Sequence, residues 1–225
     1  MKAYRVHEYG EAAKFIEDEV DKPEPKQGHV VIEVKASSLN PIDHKLLKKD
    51  LGINPALPGT LHMDVSGIIT DVGNSVTNFE VGDEVYGCAG GLKGMAGNIE
   101  GALADFMLAD VNLIAQKPKT LSFSETAALP LVAITAWEGL FDRAHINPDS
   151  HVLIHAGTGG VGHMGIQFAK QNGARVATTV SSEEKAGIAK ELGADDIIFY
   201  RDEPVENYTQ NLTQGTGFDV VFDTI

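Results

Sequence analysis

Cysteine is almost missing from this chain: Cys88 is the only one among 225 residues. One thiol makes no intramolecular disulfide and no cysteine-rich zinc cluster, so a disulfide-stapled secreted scaffold is excluded and a reducing, cytoplasmic setting is expected. Positive charge is also scarce. Eighteen Lys and Arg stand against 32 Asp and Glu, a formal net charge of -14. Such a surface repels phosphate backbones and anionic lipid, so neither nucleic acid nor a membrane is an expected partner. No run of about 18 apolar residues is available to span a bilayer, and Met1-Lys2-Ala3-Tyr4-Arg5 leads into no export-signal core. Internal repeats and low-complexity stretches are absent too. What is present is an ordinary globular composition, long enough for one or two domains, each with its own core.

The rhythm of the chain changes near residue 120. Before it, short apolar runs separated by Gly, Pro and Asn read as antiparallel strands, at Val30 to Ala36, Val65 to Val72, Asp83 to Tyr86, Ala102 to Leu108 and Asn112 to Lys117. Gly90 to Gly101 has no strand pattern and reads as a loop. After residue 120, Ser122-Phe123-Ser124-Glu125 has the form of a capping box opening a helix that runs toward Phe141. Apolar strand cores follow at Val152 to Ala156, Arg175 to Val180, Asp195 to Phe199 and Phe218 to Phe222. Helical stretches alternate with them at His163 to Asn172, Glu183 to Leu192 and Val205 to Gln214. Strands buried on both faces and separated by helices predict a doubly wound parallel sheet. The expected class is therefore α/β, with a β-rich domain over 1–121 and a doubly wound domain over 122–225. A complete doubly wound domain has two βαβαβ halves. Only four strands are read here, so the second domain is expected to be truncated.

One motif in the second domain points to a ligand. Gly157-Thr158-Gly159-Gly160-Val161-Gly162 follows the strand ending at Ala156 and opens a helix near Gly160. In such a turn the first glycine allows a tight bend and the second lets backbone approach a pyrophosphate. The third lets helix and strand pack closely, and the helix N-terminus faces the phosphates. Gly157, Gly159, Gly160, Val161 and Gly162 are thus candidate dinucleotide contacts; the plainer reading is an unoccupied glycine turn. The end of the following strand selects the cofactor. A carboxylate there binds the ribose 2′-hydroxyl of NAD, but this chain reads Val180-Ser181-Ser182-Glu183-Glu184-Lys185. Ser181, Ser182 and Lys185 suit a 2′-phosphate, which favours NADPH, while Glu183 counts against it. In a purely structural reading Ser181-x-x-Glu184 is a capping box and Lys185 a solvated helix residue.

Segments from almost the whole chain carry a family resemblance. They are Ser38-Leu39-Asn40-Pro41-Ile42-Asp43, His62-Met63-Asp64-Val65-Ser66-Gly67, Val81-Gly82-Asp83-Glu84-Val85-Tyr86-Gly87, Ala127-Ala128-Leu129-Pro130, Ile134-Thr135-Ala136-Trp137, the glycine turn, and Asp195 to Arg201. In this order they resemble the medium-chain dehydrogenase/reductase superfamily, in its zinc-less quinone-oxidoreductase-like branch. The resemblance implies a GroES-like β-rich catalytic domain followed by a Rossmann domain, and a homodimer for the full-length protein. It implies roles for Asn40 and Thr135 at the nicotinamide end and for Tyr200 beside the 2′-phosphate. Each has a plain alternative: Asn40 as turn chemistry before Pro41, Thr135 as a capping or packing residue, and Tyr200 as the end of a strand. Asp64 reads as a hydrogen-bonded structural residue.

The resemblance also bears on metal. Zinc-dependent relatives place cysteine and histidine ligands where this chain has Asn40 and Met63, and an amide and a thioether do not replace thiolate and imidazole around zinc. The relatives' structural-zinc loop needs four cysteines, and Gly90 to Gly101 has none. No metal is expected, although His44 and His62 remain conceivable ligands. Without a Lewis acid, alcohol oxidation is disfavoured. Hydride transfer to a quinone or an α,β-unsaturated carbonyl needs only placement and a few hydrogen-bond donors, of which Asn40 is the candidate catalytic one. The alternatives are a non-enzymatic, crystallin-like NADPH-binding protein and an inactive piece of a longer reductase.

Overall fold

The computed structural model describes residues 1–94 and 99–225, so residues 95–98 of the expected Gly90–Gly101 loop lie outside the described residues. The chain forms two compact units, Met1–Leu131 and Val132–Ile225.

In chain order the first unit contains β1 (Lys2–Val6), β2 (Phe15–Glu19), β3 (His29–Ser37), α1 (Pro41–Lys48), β4 (Gly59–Thr60), β5 (Asp64–Val72), β6 (Glu84–Cys88), β7 (Phe106–Asp110), β8 (Ile114–Gln116) and α2 (Phe123–Ala127). Five strands make an antiparallel sheet in the order β7-β3-β5-β6-β8, and a smaller sheet runs β2-β1-β4. The large sheet closes over Val30, Ile32, Val65, Ile69, Val85 and Met107. Two strands differ from the pattern read in the sequence. Residues Ala102 and Leu103 donate their N–H groups to His62 and Leu61, and Ala104 bridges to Ala3, so β7 joins the large sheet only from Phe106. Near β8, the Asp110 carboxylate accepts from Asn112 N–H and winds Val111–Leu113 into a 3₁₀ turn, which delays the strand to Ile114.

The helix α1 was not read from the sequence, although its signals are there: Asn40 before Pro41 at the first turn, and Ile42 and Leu46 four apart. Leu46 is buried with Val6 and Leu61 in a small core that fixes the helix against β1. The capping box of Ser122 and Glu125 is present, but the expected helix to Phe141 is three pieces. The helix α2 ends at Ala127, and Pro130, which lacks an N–H and disfavours helical geometry at Leu129, starts α3 (Pro130–Trp137). A π-helical turn, Glu138–Arg143, follows. Because α2 packs on β3 and β5, the compact units divide between Leu131 and Val132 rather than where the rhythm changes.

The second unit continues with β9 (His151–Ile154), α4 (Gly160–Gln171), β10 (Arg175–Val180), α5 (Glu183–Glu191), β11 (Asp196–Phe199), α6 (Val205–Thr213) and β12 (Val220–Phe222). All four strands are parallel, in the order β11-β10-β9-β12. The order reverses between β10 and β12, on either side of β9. That is the switch point where doubly wound sheets hold ligands at the strands' carboxyl ends. The core behind it is Leu140, Val152, Ile154, Ile166, Val176 and Ala189 with neighbouring apolar residues.

Two helical glycines should respond oppositely to alanine. A Cβ on Gly162, in the first turn of α4, would lie 2.3 Å from Ala156 O, whereas Gly187, within α5, has nothing within 4 Å. Gly162→Ala is expected to cost about 1–3 kcal/mol through overpacking. Gly187→Ala should gain up to about 1 kcal/mol from helix propensity alone. Urea unfolding of both variants checks this, and a neutral or stabilising Gly162→Ala would contradict the close approach.

Candidate functional site

In the second unit the site grows from the end of β9. Ala156 has φ +51, a left-handed conformation that costs a non-glycine residue about 1–2 kcal/mol. It turns the chain sharply out of the strand. A Cβ on Gly157 would sit 2.0 Å from Thr178 Oγ1, so this position packs directly on β10, where Thr178 donates to Ile154 O at 2.7 Å. Gly162 lies equally close to Ala156. Gly159 differs: a Cβ there would meet only Ala156 O, at 3.2 Å, so its face is open to a ligand. Gly159 is the N-cap of α4, and the first intrahelical bond is His163 N–H to Gly159 O. The N–H groups of Gly160, Val161 and Gly162 therefore precede the ladder and carry the positive end of the helix dipole.

A cavity of about 200 Å³ opens at this turn, lined by Ala156, Thr158, Gly159, Thr179, Val180, Ser181, Lys185, Tyr200 and Ile225. Three residues singled out for the 2′-phosphate, Ser181, Lys185 and Tyr200, thus share one cavity with the second glycine. Ser182 does not line it. Its hydroxyl caps α5 by accepting from Lys185 N–H at 3.3 Å, so the cap is one residue later than the Ser181-x-x-Glu184 box would have it. This frees the Ser181 hydroxyl and places Glu183 in the first helical turn, outside the cavity lining.

In the first unit a buried polar cluster surrounds Asn40, the N-cap of α1. Asn40 Nδ2 lies 3.1 Å from Ser38 Oγ and 2.9 Å from Asp64 Oδ2. Ser38 Oγ donates to the same carboxylate oxygen at 2.6 Å, and Leu131 N–H donates to Asp64 Oδ1 at 2.9 Å. Asp43 holds the backbone, accepting from Asn40 N–H at 2.7 Å and from His62 N–H at 3.2 Å. His62 has φ +71, and its Nδ1 lies 3.0 Å from Ser37 Oγ. Burial pushes the Asp64 and Asp43 carboxyls up, against the hydrogen bonds that favour their charged forms, and it pushes the His62 imidazole down. Cys88, paired with Asp64 across β5 and β6, is buried. Burial and the carboxylates of Asp64 and Asp43 push its thiol up to about 12, which leaves it unreactive at neutral pH.

Sequence reasoning named Asn40 but missed its setting, in which Ser38, Asp43 and Asp64 occupy its polar atoms. As arranged, both amide hydrogens of Asn40 are engaged, so it does not present the free donor anticipated for a substrate oxygen. Asn40 and Thr135 belong to different units. The donors here also do not fit zinc: Asn40 is an amide engaged elsewhere, and Met63 is a buried thioether. Among the described residues no group of three or more His, Cys, Asp or Glu converges as metal ligands. By contrast, the open glycine face and helix N-terminus beside Ser181 and Lys185 fit the phosphates of a dinucleotide. No helix among the described residues is long and apolar enough to cross a membrane.

Comparison with known proteins agrees with both units. Residues 26–119 match the family model of the alcohol dehydrogenase GroES-like domain, and residues 160–225 match that described as zinc-binding dehydrogenase. A 2-methylene-furan-3-one reductase of Solanum lycopersicum is 38% identical, and an NADPH-dependent alkenal/one oxidoreductase, chloroplastic, of Arabidopsis thaliana is 36% identical. Each alignment covers 100% of this chain and 57% of the relative, so the chain spans little more than half the length of either. Among solved structures, an alcohol dehydrogenase superfamily protein from Novosphingobium aromaticivorans superposes with a TM-score of 0.91 at 38% identity, covering 100% of this chain and 66% of that one. The quinone oxidoreductase from Coxiella burnetii gives 0.80 at 35% identity, with 100% and 68% covered. The chain belongs to the medium-chain dehydrogenase/reductase superfamily, in its quinone-oxidoreductase-like branch.

Proposed function

We propose that this chain serves an NADPH-dependent, metal-independent reductase of quinones or α,β-unsaturated carbonyls. One observation carries the cofactor reading. Ser181, Lys185 and Tyr200 line the same cavity as Gly159, and no Asp or Glu side chain is among its lining residues. A carboxylate at the end of β10 would bind a ribose 2′-hydroxyl and repel a 2′-phosphate; a lysine and a hydroxyl do the reverse. The relatives support the substrate class, since two of the curated ones carry the names 2-methylene-furan-3-one reductase and NADPH-dependent alkenal/one oxidoreductase.

When bound, NADPH supplies the hydride. The chain's own groups do the placing. The N–H groups of Gly160, Val161 and Gly162 take the pyrophosphate at the start of α4, with Gly157 and Gly159 shaping the approach. Ser181, Lys185 and Tyr200 take the adenosine 2′-phosphate; Ser182 supports them by capping α5, which orients Lys185. Asn40 and Thr135 are assigned to the nicotinamide end. The reaction suits a site without a Lewis acid, because charge from hydride addition to an activated double bond spreads onto a carbonyl oxygen.

Two measurements test this reading. Lys185→Ala should weaken NADPH binding about ten-fold or more, the equivalent of one charged hydrogen bond of roughly 1.5–3 kcal/mol, and leave NADH nearly unchanged. Equal losses for both cofactors would make Lys185 a structural residue. The second is elemental analysis of the dialysed protein, which should find no stoichiometric zinc; about one tightly held zinc per chain would overturn the metal-independent assignment.

A further inference from the structure

Two neighbouring threonines of β10 grip the glycine turn from opposite faces of the strand. The pairing of β9 with β10 ends at Ile154 and Thr178, and beyond it side chains hold the turn. Thr178 Oγ1 donates to Ile154 O and leaves Gly157 no room for a Cβ. Thr179 holds the preceding residue: its Oγ1 accepts from Ala156 N–H at 3.0 Å. The side chain is only 3% exposed, so this oxygen is shielded from water. His155 Nδ1, 3.2 Å from the same oxygen, is within reach of the hydroxyl's one hydrogen. Ala156 is the residue with φ +51, a conformation that alanine avoids unless its surroundings impose it. Its carbonyl accepts from Gly159 N–H at 2.8 Å, and Gly159 O accepts from His163 N–H at 3.0 Å. Three hydrogen bonds in series therefore lead from the Thr179 hydroxyl to the first turn of α4.

We propose that Thr179 is the positioning residue of the dinucleotide turn. Its hydroxyl oxygen holds Ala156 in the left-handed conformation, and Ala156 in turn sets where Gly159 and the free N–H groups of Gly160, Val161 and Gly162 stand. The consequence for ligands rests on the assignment of a pyrophosphate to this turn; the hold on Ala156 stands on the free protein. Thr179→Val keeps the β-branched shape and removes the acceptor. Ala156 N–H is then left without its partner, and the turn relaxes toward ordinary backbone angles. Thr179→Ser returns the oxygen and should return the turn. Thr179 also borders the cavity of Ser181 and Lys185. Direct contact with the nucleoside and an effect through the turn are therefore separated by a ligand that lacks the pyrophosphate.

The first readout needs no ligand. In the ¹⁵N-labelled chain the Ala156 backbone amide should exchange slowly with water, about ten-fold or more faster in Thr179→Val, and slowly again in Thr179→Ser. The amides of Val152 and Ile154 should stay protected throughout, which shows that β9 is intact. Fast exchange at Ala156 in the wild type, or no change in Thr179→Val, overturns the hold. Thr179→Ala takes the place of Thr179→Val should the latter fail to fold. The second readout compares NADP⁺, NAD⁺ and adenosine 2′-monophosphate, which has no pyrophosphate. Thr179→Val should weaken NADP⁺ and NAD⁺ alike, by roughly three- to ten-fold, the equivalent of one neutral hydrogen bond. Adenosine 2′-monophosphate should bind as in the wild type, and Thr179→Ser should restore both dinucleotides. Unchanged dinucleotide binding in Thr179→Val overturns the positioning role. A loss shared by adenosine 2′-monophosphate, or confined to NADP⁺, makes Thr179 a nucleoside contact and also overturns it. A wild type that binds none of the three overturns the dinucleotide reading and the positioning role with it, and the amide exchange still decides the hold on Ala156.

Discussion

The nucleotide unit depends on how closely its first helix approaches its first strand. At Gly162 and Gly157 the backbone of the turn touches Ala156 and Thr178 with no room for a methyl group. This contact aims the free N–H groups of α4 at the carboxyl end of β9, where strand order reverses. The cavity holding Ser181, Lys185 and Tyr200 forms beside it, because β10 pairs in register with β9 and β11 with β10, so that β10 and β11 end opposite each other at Val180 and Phe199. Strain at Ala156 is local and is compensated by the packing of Ile154, Ile166 and Val176 behind it.

In the first unit the organising contact is polar. Two buried carboxylates, Asp43 and Asp64, hold one asparagine by its backbone and its side chain respectively. Burying charge is costly unless the group is fully hydrogen-bonded, and here each carboxylate has at least two donors. Such a network restricts the orientation of Asn40. Cys88, next to this network, is silenced by the same burial.

The plain zinc-binding name of the family model over residues 160–225 and the donor chemistry of this chain point different ways. A fold does not by itself fix the chemistry, which resides in the site. Asn40 and Met63 make that site an amide and a thioether, the first already committed to a carboxylate and a serine.

Hydrophobic rhythm and glycine spacing were enough to show the doubly wound sheet, its four strands and the glycine turn that opens α4, because strands buried on both faces and a G-x-G-x-x-G turn are local patterns. The α1 helix was equally local in its signals, Asn40, Pro41 and the Ile42–Leu46 spacing, yet it is short and hidden in a β-rich stretch. The break at Pro130 was visible too, but whether a proline kinks or ends a helix depends on what the flanking pieces pack against. Three things required tertiary structure. The cap of α5 falls on Ser182 rather than Ser181, because the length of β10 sets where the helix begins. Residues 102–104 leave the large sheet because β1 and the 60–62 segment lie within hydrogen-bonding reach. The two hydrogens of Asn40 are taken because Asp64, 24 residues away, is brought to 2.9 Å by the pairing of β3 with β5. Sequence determined which groups could donate and accept; only the folded chain decided which of them were already spent, since hydrogen-bond partners are fixed by distance in space rather than along the chain.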